Sequence, residues 1–268
     1  MKYRSKKSKR VRNLQPIGIV VHRGTSPGTG DPYVVIATFH SENEKTGNVV
    51  TVWIVRDDVK PTQAKSRGEV HATCLDCVLG MVGGCYVVVQ NAPNAIWRAY
   101  KDGRYEEYAP ERHDSMIAGR VVRWGGYGEP VLVDLEIIRH WSHDLSIGWS
   151  GYTQQWRRPE FQAYRSFFMA SVHSIRQADL ASTMGWRYFR DCASLEDEPV
   201  RRGEFLCPAS YEGGERMQCI DCKQGCNGAN RPVGEIQRAS VVTQRHANAV
   251  ETLILNKAIR EGRVSFDA

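Results

Sequence analysis

The stretch Arg120-Val121-Val122-Arg123-Trp124-Gly125-Gly126-Tyr127-Gly128-Glu129-Pro130 decides the fold. A short β-branched run passes into glycines, where a chain can turn or bring its backbone close to a ligand. From Val133 to Leu145 the spacing of apolar residues predicts a helix, and Ile147 to Tyr152 a further strand. The alternation then continues. Pro159 opens a helix through Phe161, Tyr164 and Phe167 or Phe168; Phe168 to Val172 is a strand, Arg176 to Met184 a helix closed by Gly185, and Trp186 to Arg190 a strand. Strands and helices alternating at this length predict an α/β protein with right-handed crossovers, either a partial (β/α) barrel or an open parallel sheet.

Toward the N-terminus, Ile17 to His22, Tyr33 to Phe39 and Val49 to Val55 are separated by turn-rich segments and predict a β-meander. The glycines at 24–31 lack a following Gly-Lys-Ser/Thr, so they read as a turn and not as a phosphate cradle. Val70 to Thr73 predicts a strand leading into a cysteine loop, and Val87 to Tyr100 a helix that Pro93 starts or kinks. Toward the C-terminus, an acidic, turn-rich segment after Cys192 holds further cysteines, followed by a predicted strand, Ile236 to Thr243, and a helix, Asn248 to Arg260. The divisions expected are a basic arm (1–16), a β-meander packed on the core (17–60), a (β/α) core (61–191), a cysteine-rich metal-binding segment (192–232) and a strand and helix completing the core (233–268).

The chain has 268 residues, 41% of them hydrophobic and 25% charged, which excludes a disordered or fibrous protein. Its net charge of +6 is unevenly placed: Lys2, Arg4, Lys6, Lys7, Lys9, Arg10 and Arg12 supply +7, so the rest sums to −1. Nucleic-acid binding, if driven by charge, is therefore expected of residues 1–12 alone. The apolar run Ile17 to Val21 is too short for a signal-peptide core, and no run approaches the roughly 18 apolar residues of a membrane span. A cytoplasmic location is expected, where paired cysteines are metal ligands or redox groups more often than disulfides.

Seven of the eight cysteines fall into two groups, Cys74-x2-Cys77-x7-Cys85 and Cys207-x11-Cys219-x2-Cys222-x3-Cys226; Cys192 stands apart and reads as a small buried hydrophobe. A two-residue spacer lets both sulfurs of a turn address one centre. The second group can close a zinc site or hold a [4Fe-4S] cluster. The first would need His71 to complete a zinc site, or would leave one iron of a cluster open. Glu129, beside Gly125, Gly126 and Gly128, is placed to accept hydrogen bonds from an amino group.

This combination resembles the radical S-adenosylmethionine enzymes. Cys85-Tyr86 is similar to their third cysteine with its aromatic neighbour, and Gly125 to Pro130 to their Gly-Gly-Glu-Pro motif, here with Tyr127-Gly128 interposed. The usual CxxxCxxC spacing is replaced, and no later ribose or adenine motif is present. The resemblance implies one or two [4Fe-4S] clusters on the seven cysteines and S-adenosylmethionine held by Glu129 and its glycines, with Tyr152, Gln154 and Ser171 facing the ligand. Most of the chain after residue 16 also resembles uncharacterised bacteriophage proteins, through the Cys74 to Tyr86 group, Arg123 to Pro130, Gly151 to Trp156, Met169 to Ser174, Gly185 to Arg190 and Cys207-Pro208-Ala209-Ser210. That resemblance implies a bacterial host cytoplasm.

Glu136, His140 and His143 share a helix but read as solvated polar neighbours of a face packed beneath Trp141, and Ser171-x-His173 lacks an identified acidic partner for hydrolase chemistry. Tyr152, Gln154, Gln155, Trp156 and Arg157 follow a strand and can line a pocket. Two functions remain open: an iron–sulfur protein with redox or radical chemistry, and a zinc-stabilised nucleic-acid-binding protein that uses its arm.

Overall fold

The computed structural model describes residues 17–41, 43, 45–81, 85, 87–214, 217–222, 226, 240–244 and 261. The basic arm, Tyr86, the start of the strand expected from Ile236 and the helix expected over Asn248 to Arg260 lie outside the described residues. The antiparallel meander forms as predicted, with β1 (Gly18–Thr25), β2 (Pro32–Thr38) and β3 (Val50–Arg56). The glycine-rich connection is a tight turn, in which Gly30 N–H donates to Ser26 O and Ser26 N–H to Asp31 O, both at 2.9 Å.

Four helices follow: α1 (Pro61–Ser66), α2 (His71–Cys74), α3 (Val78–Met81) and α4 (Ala92–Lys101), the last with a proline in its first turn. The strand expected at Val70 to Thr73 is therefore a helical turn. Cys74 N–H donates to Val70 O at 2.8 Å and Leu75 N–H to His71 O at 3.0 Å. Val70, Ala72 and Thr73 are all buried, so the apolar character of this window comes from packing around a turn and not from the two-residue alternation of a strand.

The remaining elements are β4 (Glu106–Glu107), α5 (Pro110–Ile117), β5 (Val121–Tyr127), α6 (Leu135–Arg139) with a π-helical continuation (His140–Leu145), β6 (Gly148–Ser150), β7 (Tyr152–Thr153), a 3-10 helix (Pro159–Ser166), β8 (Met169–Val172), α7 (Ile175–Thr183), β9 (Tyr188–Cys192), β10 (Glu204–Leu206) and β11 (Ser240–Gln244). They complete a six-stranded mixed sheet, β4-β1-β2-β3-β5-β6, and a five-stranded parallel sheet, β10-β11-β9-β8-β7. The meander shares a sheet with the core, because β3 pairs in parallel with β5, which pairs in parallel with β6.

The single strand expected over Ile147 to Tyr152 is split between the two sheets, and Gly151 is its corner. A Cβ there would lie 2.5 Å from the Phe168 ring and 3.1 Å from the Trp124 Cβ, so only glycine lets the strand change sheets here. Parallel strands thus run from β3 through this corner to β10, and among the described residues they do not close into a barrel. The last strand is an inner one: β11 enters between β9 and β10. One face of both sheets packs into the main core, with Val122, Trp124, Ala170, Val172 and Tyr188 against Ile138, Trp141, Ala178 and Ala181. A second core beneath α4 joins Val20, Val34, Ile36, Val55, Ile96 and Tyr127 on the opposite face of the first sheet. Among the described residues no helix is long and apolar enough to cross a membrane.

Candidate functional site

Alternate residues of a strand point to opposite faces. The phase opposite the main core supplies Val121, Arg123 and Gly125 of β5, Tyr152 of β7, Ser171 of β8, Phe189 and Asp191 of β9, Phe205 of β10, and Val241 and Thr243 of β11, and all of these line one cavity of about 600 Å3. Seven cysteines from segments far apart in the chain line the same cavity: Cys74, Cys77, Cys85, Cys207, Cys219, Cys222 and Cys226. So do Gly126, Gly128, Glu129 and Gln154. Apart from His71, every residue that the sequence offered as a metal or cofactor ligand therefore lines one space, of a size that suits a small-molecule site.

The first cysteine group is presented by α2 and the turn after it, not by a strand end. Leu75, buried, takes φ +47°, the one non-glycine residue at positive φ among the described residues, and Cys77 N–H donates to Cys74 O at 2.9 Å. Such a conformation costs on the order of 1 kcal/mol and persists only where the surroundings impose it. It turns the backbone between two cysteines of the site. Gly80 closes the turn: a Cβ there would touch Cys74 Cβ at 3.4 Å and Cys77 Cβ at 3.8 Å, and its N–H donates to the Cys77 sulfur. Burial pushes the Cys74 thiol up to about 12, with the neighbouring Cys85 and Glu129 adding to the rise.

The glycine-containing end of β5 and Gly128 after it cross this group. Gly128, at φ +81°, has room for no Cβ, since one would lie 2.5 Å from Ile54 O, and Glu129 N–H then donates to Thr73 O at 2.7 Å. The Glu129 side chain bridges the two sheets. One carboxylate oxygen accepts from Thr153 Oγ1 at 2.7 Å and the other from Gln154 N–H at 3.1 Å. Burial raises its pKa to about 7, against the donors Thr153, Gln154 and Gln155 that favour the charge. Gln154 continues the chain of contacts: its Nε2 donates to Ser171 Oγ at 2.9 Å, and its amide meets His173 Nε2 at 2.9–3.1 Å. Asp191 lies 3.6 Å from the other His173 nitrogen, an acid close to the histidine but beyond hydrogen-bond distance in this contact. His173 carries no spacing signal of its own, and Asp191 is a lone acid on a strand; only the pairing of β8 with β9 brings them together.

The second group starts where β10 ends. Cys207 N–H donates to Val242 O at 2.8 Å, and the Cys207 sulfur accepts from the N–H groups of Ala209 and Ser210. Cys226, like Tyr152, Phe189 and Phe205, packs against the cluster of Met169, Cys207 and Val241, and the Tyr152 hydroxyl donates to its sulfur; burial pushes the Cys226 thiol up to about 12. The 218–220 segment is docked on the β2–β3 connection, with Cys219 N–H donating to Lys45 O at 2.8 Å and Ile220 N–H to Thr46 O at 3.2 Å. Gly47, at φ +75°, permits this approach, since its Cβ would lie 2.7 Å from Ile220 Cγ2. Burial raises the Cys219 thiol, while Lys45 and Arg123 pull it down.

Among the described residues no three His, Cys, Asp or Glu side chains converge at coordinating distance, so the geometry defines a neighbourhood and not a coordination number. The donor set fits a thiophilic metal or a cluster: seven thiols around one cavity, with backbone N–H groups aimed at the sulfurs of Cys77 and Cys207. His71 is not in the cavity wall; its Nδ1 meets Leu75 O at 3.1 Å. His140 lies between Asp114 and Asp144, the exposed Glu136 pairs with Arg139, and the exposed His143 lies against Trp149 and Phe167, so the helix packs through the buried Trp141 and these three are its polar neighbours. Trp156 is fully buried and its Nε1–H donates to Ser171 O at 3.1 Å, beneath the site and not in it. No protein-family model, curated protein or solved structure matches the chain.

Proposed function

We propose that the chain is an iron–sulfur protein of radical S-adenosylmethionine type, encoded by a bacteriophage and acting in the cytoplasm of its bacterial host on a substrate held in the cavity. The observation that carries this reading is that both cysteine groups, the Gly125–Glu129 segment, Tyr152, Gln154 and Ser171 line one cavity. A protein whose cysteines serve only to pin down loops has no need to gather them around a cavity also lined by a buried carboxylate and polar strand residues. Cys74, Cys77 and Cys85 would hold one [4Fe-4S] centre, and Cys207, Cys219, Cys222 and Cys226 a second. Cluster iron supplies electrons, or an open coordination position where only three cysteines bind. Glu129, buried and already oriented by Thr153 and Gln154, would receive the amino group of S-adenosylmethionine; Tyr152 and Ser171 would border the substrate.

Protein purified without oxygen is expected to be brown, with a broad absorption near 400 nm, and to contain iron and acid-labile sulfide; both are expectations from cluster chemistry. With reductant and S-adenosylmethionine it should release methionine and 5′-deoxyadenosine. A colourless chain with stoichiometric zinc would contradict this reading and leave the zinc-stabilised nucleic-acid-binding protein, whose binding should vanish on deletion of residues 1–12.

A further inference from the structure

The two cysteine groups share a cavity but not an electrostatic setting. Beside the first stands an acid: Glu129, 5% exposed, acts on both Cys74 and Cys77. Beside the second stand cations: Lys45 and Arg123 in the cavity wall, and Arg187 near Cys226. Lys45 lies on the β2–β3 connection, its carbonyl bonded to Cys219 N–H at 2.8 Å, and Arg123 projects from β5 into the same cavity wall as Cys207, Cys219 and Cys222. Lys45 acts on Cys207 and Cys219, and Arg123 on Cys219.

A tetrathiolate centre, whether zinc or a [4Fe-4S] cluster, carries net negative charge, and burying it away from water is costly unless positive charge lies nearby. We infer that Lys45 and Arg123 are the charge-compensating residues of the second cysteine group, and that this group takes up and holds a metal–thiolate centre more tightly than the first. Lys45 then has two tasks. Its backbone carbonyl seats the cysteine segment, and its ammonium offsets the charge of the centre. The backbone bond leaves the side chain open to substitution without removing the seat, which makes the electrostatic role separable from the structural one. Gly47 serves the same end, since its missing Cβ lets the 218–220 segment lie against the loop that carries Lys45.

This inference rests on the thiolate-centre reading, and cobalt(II) tests the two separately. Cobalt(II) is titrated anaerobically into the full chain in two backgrounds, one lacking the first group (Cys74→Ser, Cys77→Ser, Cys85→Ser) and one lacking the second (Cys219→Ser, Cys222→Ser), and thiolate-to-cobalt charge transfer is followed. A unit charge some 7 Å from the centre, at an effective dielectric constant of about 20, changes affinity by about tenfold or more. In the first background, Lys45→Met with Arg123→Met should therefore weaken cobalt binding at least about tenfold, and added salt should narrow the difference. Lys45→Arg, which keeps the charge, should bind as the parent does. In the second background the same pair of changes should leave the remaining site unaffected, and that site should bind more weakly than its counterpart. Circular dichroism on each variant identifies one that has lost its fold, and Lys45→Met alone, at an exposed position, then serves as the readout. Cobalt affinity unchanged by loss of the cations, or weakened equally in both backgrounds, would overturn the inference alone. No cobalt–thiolate absorption from the unmodified chain would overturn the functional reading and this inference with it.

Discussion

Glu204→Ala is expected to destabilise the protein by about 3 kcal/mol, because it strips the buried Arg190 guanidinium of its fully buried counter-charge and leaves the partly exposed Glu198, at 3.0 Å, as its acidic partner. The side chains of Arg190 and Glu204 are both 0% exposed and meet at 2.7 and 3.0 Å. Tyr188 Oη donates to the same carboxylate at 2.8 Å and Arg201 N–H at 2.9 Å. Burial alone would raise the Glu204 carboxyl, but these donors hold it below its ordinary value. The pair reaches across β11, from β9 to β10, and β10 runs directly into Cys207. The loss should therefore appear in two measurements: a lower urea midpoint, and reduced metal uptake by the second cysteine group. Glu204→Gln should cost less, since its amide oxygen keeps one acceptor. A Glu204→Ala protein as stable as wild type would mean that the pair contributes no more than an exposed one.

Cys219→Ala with Cys222→Ala should remove two of the four ligands of the second centre and with them its iron, sulfide and colour. If the parent binds its centre a thousandfold more tightly than the free metal concentration requires, the variant should also lose about 4 kcal/mol of stability. The loss should be felt locally, where Cys219 and Ile220 dock on Lys45 and Thr46 and where Cys207 begins the connection from β10 to β11. Iron and sulfide analysis alongside thermal unfolding checks both effects; unchanged metal content would remove the second group from the site.

The strand–helix rhythm from Val121 to Cys192 was legible because each element carries its own period and its own stop. Pro159 opens the 3-10 helix that the sequence read as an ordinary one, Gly185 follows α7, and β5 runs on through Gly125 and Gly126 to Tyr127, with Gly128 after its end. The meander was legible for the same reason. Val70 to Thr73 was misread because four residues are too few for a period to show, and a buried turn and a strand both favour apolar side chains. β10 was missed because Glu204-Phe205-Leu206 has no alternation of its own; it is a strand because Arg190 and β11 hold it in place. The candidate ligands were legible from residue type and spacing, and their convergence was not. That Cys77 and Cys222 line one wall depends on β11 entering between β9 and β10, and on Gly47 admitting Ile220, neither of which has a local signature. Lys45, Arg123 and Asp191 escaped notice because a single charge on a strand or loop signals nothing until its neighbours are known.

Two cysteine groups more than a hundred residues apart in the chain face one cavity. Cross-linking the metal-free, reduced chain with a flexible bis-maleimide about as long as the cavity is wide, followed by peptide mass spectrometry, tests it most directly. Linked peptides that join Cys74, Cys77 or Cys85 to Cys207, Cys219, Cys222 or Cys226 are expected at low protein concentration. Links confined within each group would contradict it.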